Sequence, residues 1–195
     1  MSASSERRER ERAQRHQMII RTARELAEAE GWEAVTTRRL AERVEYSQPV
    51  LYSHFKGKDA IVGAVALDGF GELAEHLRRA RLAATGPALR AVGAAYLEFA
   101  IARPALYQAM FVLPTDLAFA SDETPAPMRA CFDEFVSCFP ADDERGGLAA
   151  EVTWSALHGM AVLSAGGRIP GVWQQERLDL LVSRFAVDQA APPLA

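Results

Sequence analysis

The sequence predicts an all-α fold: an N-terminal three-helix head that contains a helix-turn-helix, followed by a C-terminal helical bundle, with about nine helices in total. Apolar residues recur every three or four positions through most of the 195 residues, as they do on one face of a helix. Alternating patterns typical of strands are nearly absent. Breaks rich in glycine and proline, such as Thr85-Gly86-Pro87, divide the chain into segments of helical length.

Residues that start or stop helices support this order. Gly31 lies where a first helix should end, Thr36 or Thr37 is a suitable N-cap for a second helix, and Ser47 is one for a third. Pro104 suits the first position of a sixth helix, where the N–H that proline lacks would have no intrahelical partner. The predicted helices cover about 15–32, 37–44, 48–54, 59–81, 89–100, 104–111, 127–138, 145–165 and 173–187.

Charge is distributed unevenly along the chain. Residues 1–60 contain 12 Lys and Arg and 10 Asp and Glu, whereas residues 61–195 contain 10 and 16. The total net charge of −4 is therefore the sum of a slightly basic N-terminal part and an acidic C-terminal part. We expect a charged flexible arm over residues 1–14, in which arginines alternate with glutamates. Two interpretations of this arm stay open: a solvated segment, or one that contacts phosphate or the minor groove of DNA.

Residues 36–55 predict two short helices joined by a tight turn. This is the smallest unit that can place one helix in the DNA major groove while another braces it across the backbone. Leu40, Val44, Leu51 and Phe55 give the pair an apolar inner face.

The start of the second short helix carries the candidate base contacts. Gln48 can bond adenine in bidentate fashion, which is worth about 1–3 kcal/mol of discrimination, and Pro49 or Val50 can touch a thymine methyl. Neighbouring hydroxyl, imidazole and cationic groups suit phosphate, which positions a protein without encoding sequence. An ordinary solvated surface role stays open for each residue. The candidate DNA-binding residues are Thr37, Arg38, Tyr46, Ser47, Gln48, Pro49, Tyr52, His54 and Lys58.

These motifs resemble the helix-turn-helix of the tetracycline-repressor (TetR) family of bacterial regulators. The resemblance covers residues 15–62 and rests on Thr36-Thr37-Arg38 and on the run from Leu51 to Asp59, LYSHFKGKD. It implies an all-helical homodimer with a ligand cavity in its C-terminal body. It also implies that Thr37, Tyr52, His54 and Lys58 touch phosphate while Gln48 and Pro49 lie at the groove.

The turn departs from the family pattern. Glu45-Tyr46 stands where the family usually has a small residue, often Gly, followed by Val. A non-Gly residue with positive φ costs about 1 kcal/mol. Either the turn is reshaped, or Tyr46 makes a contact of its own, such as one to phosphate.

The C-terminal half carries a second, looser resemblance. Trp154-Ser155-Ala156-Leu157-His158-Gly159 looks like the Trp-x-x-x-His-Gly signature of one TetR subgroup, and Arg103-Pro104-Ala105-Leu106-Tyr107 suits the same subgroup. Aromatic residues with a few polar groups are typical of small-ligand pockets, although ordinary core packing explains them equally well. The candidate ligand-binding residues are Tyr96, Phe99, Tyr107, Met110, Phe111, Phe132, Trp154 and His158.

The sequence thus favours a ligand-responsive DNA-binding transcriptional regulator, most simply a repressor released from a palindromic operator by a small apolar or aromatic effector. Surplus apolar surface on the last two helices predicts a homodimer through them. The alternatives are a helical interaction module that has lost DNA binding, which Glu45 favours, and a helical enzyme. No catalytic constellation supports an enzyme, and we expect no cofactor and no metal site.

The remaining expectations concern organisation and compartment. We expect the arm to be followed by a helix-turn-helix DNA-binding domain over residues 15–60 and a ligand-binding and dimerisation domain over residues 61–190. No apolar run approaches the roughly 20 residues that span a bilayer. We therefore expect a cytoplasmic bacterial protein, associated with the nucleoid when bound. Cys131 and Cys138, seven positions apart on one predicted helix, should stay free thiols.

Overall fold

The computed structural model describes residues 3–141 and 144–188, and these residues form helices without any strand. Residues 1–2 of the predicted arm, and residues 142–143 and 189–190 of the predicted body, lie outside the described residues. The all-α prediction is confirmed. The α-helices of the described residues are α1 (Ala3–Glu30), α2 (Thr37–Arg43), α3 (Gln48–His54), α4 (Lys58–Leu82), α5 (Ala88–Ala102), α6 (Pro104–Phe111), α7 (Ala126–Val136), α8 (Gly146–Ala165) and α9 (Gln174–Asp188).

The chain divides into two compact units, and the division differs from the predicted boundary at residue 60. The first unit comprises Met1–Gly69 and Arg103–Pro125, and the second comprises Phe70–Ala102 and Ala126–Ala195. The first unit therefore includes α1, α2, α3, the first half of α4 and the whole of α6. We expected α6 in the C-terminal body, but its contacts place it with the head.

Two side chains of the head hold α6 in the first unit. The buried Trp32 indole N–H donates to the Ala105 carbonyl over 2.7 Å. The Glu28 carboxylate accepts hydrogen bonds from the backbone N–H groups of Ala105 and Leu106, over 3.2 and 3.0 Å. It therefore caps the α6 N-terminus, where negative charge is favourable. Gly69 of α4 leaves room for α6, because a Cβ there would lie 2.8 Å from Leu106 Cδ1.

Helix α1 begins at Ala3, which corrects the prediction of a flexible arm over residues 1–14 and of a first helix from about Arg15. Its charges supply the physical reason. Glu11 lies four residues from both Arg7 and Arg15, and its carboxylate lies 3.5 Å from each guanidinium. Such pairs each stabilise an exposed helix by about 0.2–0.5 kcal/mol. The described part of the arm is therefore a continuation of α1.

The second unit packs α5, α7, α8 and α9 around a buried core. Tyr96, Phe135 and Leu157 are fully buried. Helices α5 and α9 approach closely at Gly93, where a Cβ would lie 2.6 Å from Leu178 Cδ1.

Both cysteines are free, as predicted. Burial raises the pKa of the Cys131 thiol to about 12 and that of the Cys138 thiol to about 11, so neither is a thiolate near neutral pH. Over residues 3–141 and 144–188, none of the helices combines the length and the apolar character that a bilayer crossing needs. The same residues contain no group of His, Cys, Asp and Glu arranged to hold a metal ion.

Candidate nucleic-acid interface

The turn between α2 and α3 is closed by two backbone hydrogen bonds typical of a helix C-terminus. The Tyr46 N–H donates to the Ala41 carbonyl over 2.9 Å, and the Glu45 N–H donates to the Glu42 carbonyl over 3.4 Å. This pattern needs a residue in the left-handed region, and Glu45 supplies it with φ 57°. The turn is therefore not reshaped: it keeps the backbone that glycine would adopt, with a strain of about 1 kcal/mol.

The two short helices begin differently. Thr36 is the N-cap of α2, and its hydroxyl accepts a hydrogen bond from the Arg39 N–H over 3.2 Å, as predicted. Ser47 occupies the N-cap position of α3, but its side chain makes no capping bond. Pro49 has no N–H to offer, and the Val50 N–H donates to the Ser47 carbonyl over 3.0 Å. The exposed Ser47 hydroxyl is therefore not used in capping and lies at the tip of α3.

Helix α3 is anchored by one face and presents the other to solvent. Leu51 and Phe55 are buried, at 0% and 4% exposure, whereas Gln48 and Pro49 are exposed and Tyr52 is 51% exposed. The N-terminal part of a recognition helix must be accessible in this way to enter the groove. Burial of Gln48 or Tyr52 would have excluded the role.

Tyr52 and Thr37 bring α3 and α2 together at the surface. The Tyr52 hydroxyl and the Thr37 Oγ1 lie 3.5 Å apart, at the N-terminal turn of α2. Each hydroxyl can both donate and accept. The pair therefore forms a small site of converging donors beside α3, which suits a phosphate oxygen.

Three other predicted phosphate contacts have partners or partial burial within the head. Arg38 Nε donates to the Glu42 carboxylate over 3.0 Å, with both side chains exposed. The Lys58 ammonium donates to the Trp32 carbonyl over 2.6 Å and keeps two further N–H donors. His54 is half-buried, and its Nδ1 has no hydrogen-bond partner among the described residues.

Helix α1 contributes side chains that the sequence did not single out. The Tyr46 hydroxyl donates to Met18 Sδ over 3.9 Å, so Tyr46 joins the turn to α1. The His16 ring stacks on Phe55 with centroids 4.3 Å apart and lies 6.1 Å from the His54 ring. His16 continues the three- and four-residue spacing of the buried Ile19, Ile20 and Ala23 towards the N-terminus of α1, and that periodicity is the signal that could have found it.

The electrostatics of this corner concern His54. Burial lowers the pKa of His54, and the guanidinium of Arg12, the His16 imidazole and the Arg15 guanidinium lower it further. The imidazole is therefore neutral near neutral pH, when it can still donate one hydrogen bond to phosphate.

The second unit gathers three of the predicted ligand-binding residues. The Tyr96 hydroxyl accepts a hydrogen bond from the Trp154 indole N–H over 3.2 Å, and the Tyr96 ring meets Phe135 edge-on with centroids 5.7 Å apart. The His158 ring lies 6.1 Å from that of Trp154, and burial lowers the pKa of His158. We call Tyr96, Phe135, Trp154 and His158 the aromatic cluster.

The other candidates are divided between the two units. Tyr107, Met110 and Phe111 lie on α6 in the first unit, with the Tyr107 and Phe111 rings 4.8 Å apart. Phe99 is buried on α5 and Phe132 is half-buried on α7, both in the second unit.

Two family models match the chain. The model described as bacterial regulatory proteins, tetR family, matches residues 19–65. The model described as Tetracyclin repressor-like, C-terminal domain, matches residues 89–186, half of the chain. The chain belongs to the TetR family. It is a DNA-binding transcriptional regulator and not an enzyme.

Individual relatives show where the TetR likeness is strongest. The tetracycline repressor protein class C of Escherichia coli is 56% identical over 48 residues, which span 25% of this chain and 22% of that repressor. The uncharacterized HTH-type transcriptional regulator Rv0681 of Mycobacterium tuberculosis is 27% identical over 155 residues, 76% of this chain and 69% of that regulator. High identity is thus confined to a short segment.

A solved structure extends the likeness of fold to most of the chain. A TetR variant from Acinetobacter baumannii AYE, in complex with minocycline, has a TM-score of 0.62 and 21% sequence identity, covering 86% of this chain and 94% of that one. At this identity the comparison shows a shared fold alone.

Proposed function

We propose that this TetR-family regulator is a homodimeric repressor that leaves a palindromic operator when a small apolar or aromatic effector binds. The observation that carries the proposal is the tip of α3, where Gln48 and Pro49 are exposed on a helix whose opposite face is anchored by Leu51. A reading helix has to combine a rigid seat with an accessible leading end.

Within this proposal the DNA contacts have two roles. Gln48, Pro49 and Ser47 meet base edges in the major groove, because they lead α3. The phosphate contacts come from the later residues of α3 and from side chains beside it, and they fix its register without reading sequence. This second set comprises Thr37, Arg38, Tyr46, Tyr52, His54 and Lys58.

Exposed apolar side chains support a homodimer through the last two helices. A monomer seldom leaves a large contiguous apolar surface in water, and pairing across a two-fold axis would bury it in a four-helix seam. The same symmetry places two reading helices about 34–36 Å apart and requires a palindromic site. The exposed residues are Leu148, Val152, Val162 and Leu163 on α8 and Leu180 on α9, at 61%, 51%, 41%, 41% and 56% exposure.

The aromatic cluster supports an apolar or aromatic effector. Its half-buried members, Trp154 and His158, combine ring surface with polar N–H groups, which is how small-ligand sites fix the orientation of a mainly apolar molecule. The minocycline of the Acinetobacter structure belongs to that protein, and here it supports only the class of molecule.

The first unit suggests how an effector signal reaches α3. Helix α6 follows α5 directly in the chain, and Glu28 and Trp32 tie its N-terminus to the end of α1. Helix α4 contributes residues to both units. An effector that favours one arrangement of α5 would shift the head through α6 and α4 by as much as its affinity differs between the two states.

A selection of bound sequences from random DNA, with the full-length protein, tests the proposal. We expect two inverted half-sites and a dimer by analytical ultracentrifugation. Gln48→Ala should relax preference at one base pair of each half-site, whereas Tyr52→Phe should weaken binding to every sequence alike. Gln108→Ala, an exposed glutamine on α6, is the matched control. A monomer, or a selected site without inverted symmetry, would contradict the proposal.

A further inference from the structure

Two arginines of the N-terminal part of α1 lie on the face by which that helix packs into the head. Positions 8, 12, 16, 19 and 23 recur every three or four residues, so they share one side of α1. Ile19 and Ala23 are fully buried on this side. Before His16 the core ends, and Arg8 and Arg12 continue the same side as exposed cations. We call Arg8 and Arg12 the arginine stripe.

The arginine stripe lies beside the reading helix. Arg12 Nη2 donates to the Ser53 carbonyl over 3.5 Å, at the C-terminal turn of α3. Ser53 is exposed, and so is Tyr52 next to it, which belongs to the candidate phosphate site with Thr37. The stripe therefore adds positive charge next to the proposed DNA-binding surface.

The neighbouring Arg7 and Arg15 share a carboxylate partner, whereas the arginines of the stripe have none among the described residues. Glu11 lies between Arg7 and Arg15 and pairs with both at 3.5 Å. Over residues 3–141 and 144–188, neither Arg8 nor Arg12 makes an ion pair with a carboxylate. Two exposed guanidinium groups one helical turn apart, without an acidic partner, suit the oxygens of successive phosphates.

We propose that the arginine stripe binds backbone phosphates of the operator next to the groove that α3 enters. The DNA contact then extends beyond the helix-turn-helix and along α1. This inference rests on the proposed function, because it needs α3 to lie in the major groove. Phosphate carries no sequence information, so the stripe strengthens binding without changing the sequence that is read.

Salt dependence of DNA binding by the full-length protein tests the stripe. The probes are a duplex recovered from the random-DNA selection and a mixed-sequence duplex of equal length. A plot of log affinity against log salt falls with a slope of about −0.9 for each phosphate contact. Arg8→Gln and Arg12→Gln should each make this slope less steep by about 0.9 for each protein subunit bound, because one phosphate contact is lost. The ratio of affinities for the two duplexes should not change.

Arg10→Gln is the matched control, because it removes the same charge from the same turn of α1 but on the opposite side of the helix. Its slope should equal that of the wild type. Circular dichroism should show equal helix content in all three variants.

Two results would overturn the inference. One is an equal change of slope in Arg10→Gln, which would show a diffuse effect of net charge. The other is an unchanged slope in Arg8→Gln, which has no contact with Ser53 and so reports on DNA alone. If the wild type itself binds without a steep salt dependence, the proposed function fails. If the wild-type slope is steep and the stripe variants match it, the stripe alone is rejected.

Discussion

Two tyrosines of this regulator stand in opposite surroundings. Tyr52 on α3 is 51% exposed and lies 3.5 Å from the Thr37 hydroxyl, whereas Tyr96 on α5 is fully buried and accepts a hydrogen bond from Trp154. Folding gains little from an exposed tyrosine, so the Tyr52 ring and hydroxyl are available for the DNA contact that we propose. A buried tyrosine with a satisfied hydroxyl is explained by packing, whether or not a ligand reaches it.

The difference explains why the two units support conclusions of different depth. On the head, the residues that hold α3 and those that face outward are different residues, so a structural role and a binding role can be told apart. In the aromatic cluster the same rings would have to serve both roles. The proposed DNA contacts of the head can therefore be named residue by residue, while for the second unit we propose only a class of effector.

The largest expected effect on stability comes from comparing the buried residue that anchors α3 with an exposed residue on its outer face. Leu51→Ala removes a fully buried side chain and should lower the free energy of unfolding by about 2–5 kcal/mol. DNA binding should also be lost, because α3 is no longer held in place by packing against the head. Gln48→Ala, three residues earlier, should change it by less than about 0.5 kcal/mol. Urea unfolding measures the stability of each variant, and operator binding measures its DNA affinity.

Leu157→Ala provides the counterpart in the second unit, since Leu157 is equally buried. It should lower stability by a similar amount, while the folded fraction still reads the same operator. If Leu51→Ala cost less than about 1 kcal/mol, α3 would not be anchored as the structure indicates.

Much of the fold could be predicted because helix boundaries depend on neighbouring residues. Gly31, with φ 83°, follows the end of α1, Thr36 caps α2, and Pro104 begins α6. The exposure of Gln48 and Tyr52 also followed from periodicity, since Leu51 and Phe55 had to face inward.

What could not be predicted depends on contacts between distant residues. Glu28 accepts a hydrogen bond from the Ala105 N–H, 77 positions away, so nothing in the local sequence showed that α6 belongs with the head. The partners of Lys58 and Tyr46 were hidden for the same reason, being 26 and 28 positions away. The helical start of α1 was different: its pairs of Glu11 with arginines four residues away were visible in the sequence.

The second expected effect concerns the aromatic cluster. Trp154→Phe removes the indole N–H that donates to the buried Tyr96 hydroxyl and should cost about 1–3 kcal/mol of stability. Tyr96→Phe removes the acceptor of the same hydrogen bond. Because both substitutions break one bond, the double variant should lose less unfolding free energy than the two single variants added together. Chemical unfolding of the two single variants and the double variant measures the coupling. Additive costs would mean that this hydrogen bond contributes nothing to the core, and would favour a solvated pocket.

The third expected effect concerns two residues that follow the C-terminal ends of helices and have left-handed backbone conformations. Glu45 has φ 57° and Gly31 has φ 83°. Glu45→Gly should raise the free energy of unfolding by up to about 1 kcal/mol, because glycine relieves the strain, whereas Gly31→Ala should lower it by a similar amount. Glu45→Gln keeps the strain but removes the carboxylate, so it should leave stability unchanged and still increase DNA affinity. Equal stability of Glu45→Gly and wild type would show that the turn is unstrained.

The smallest effect is a pH dependence shared by the two units. Burial lowers the pKa of His54 in the head and that of His158 in the second unit. The unfolded chain therefore binds protons more readily than the folded one near the ordinary histidine pKa of about 6.5. The stability that these residues contribute is present above that pH and is lost as the pH falls through the lowered pKa. His54→Gln and His158→Gln should each flatten this loss in unfolding titrations.

DNA binding should separate the two histidines. A phosphate beside His54 favours the charged imidazole and opposes the effect of Arg12, His16 and Arg15, so operator affinity at fixed salt should rise as the pH falls towards about 6. His54→Gln should remove part of that rise. His158→Gln should keep all of it, because His158 belongs to the unit without the reading helix. An unchanged rise in His54→Gln would place His54 away from phosphate and limit its role to packing against His16.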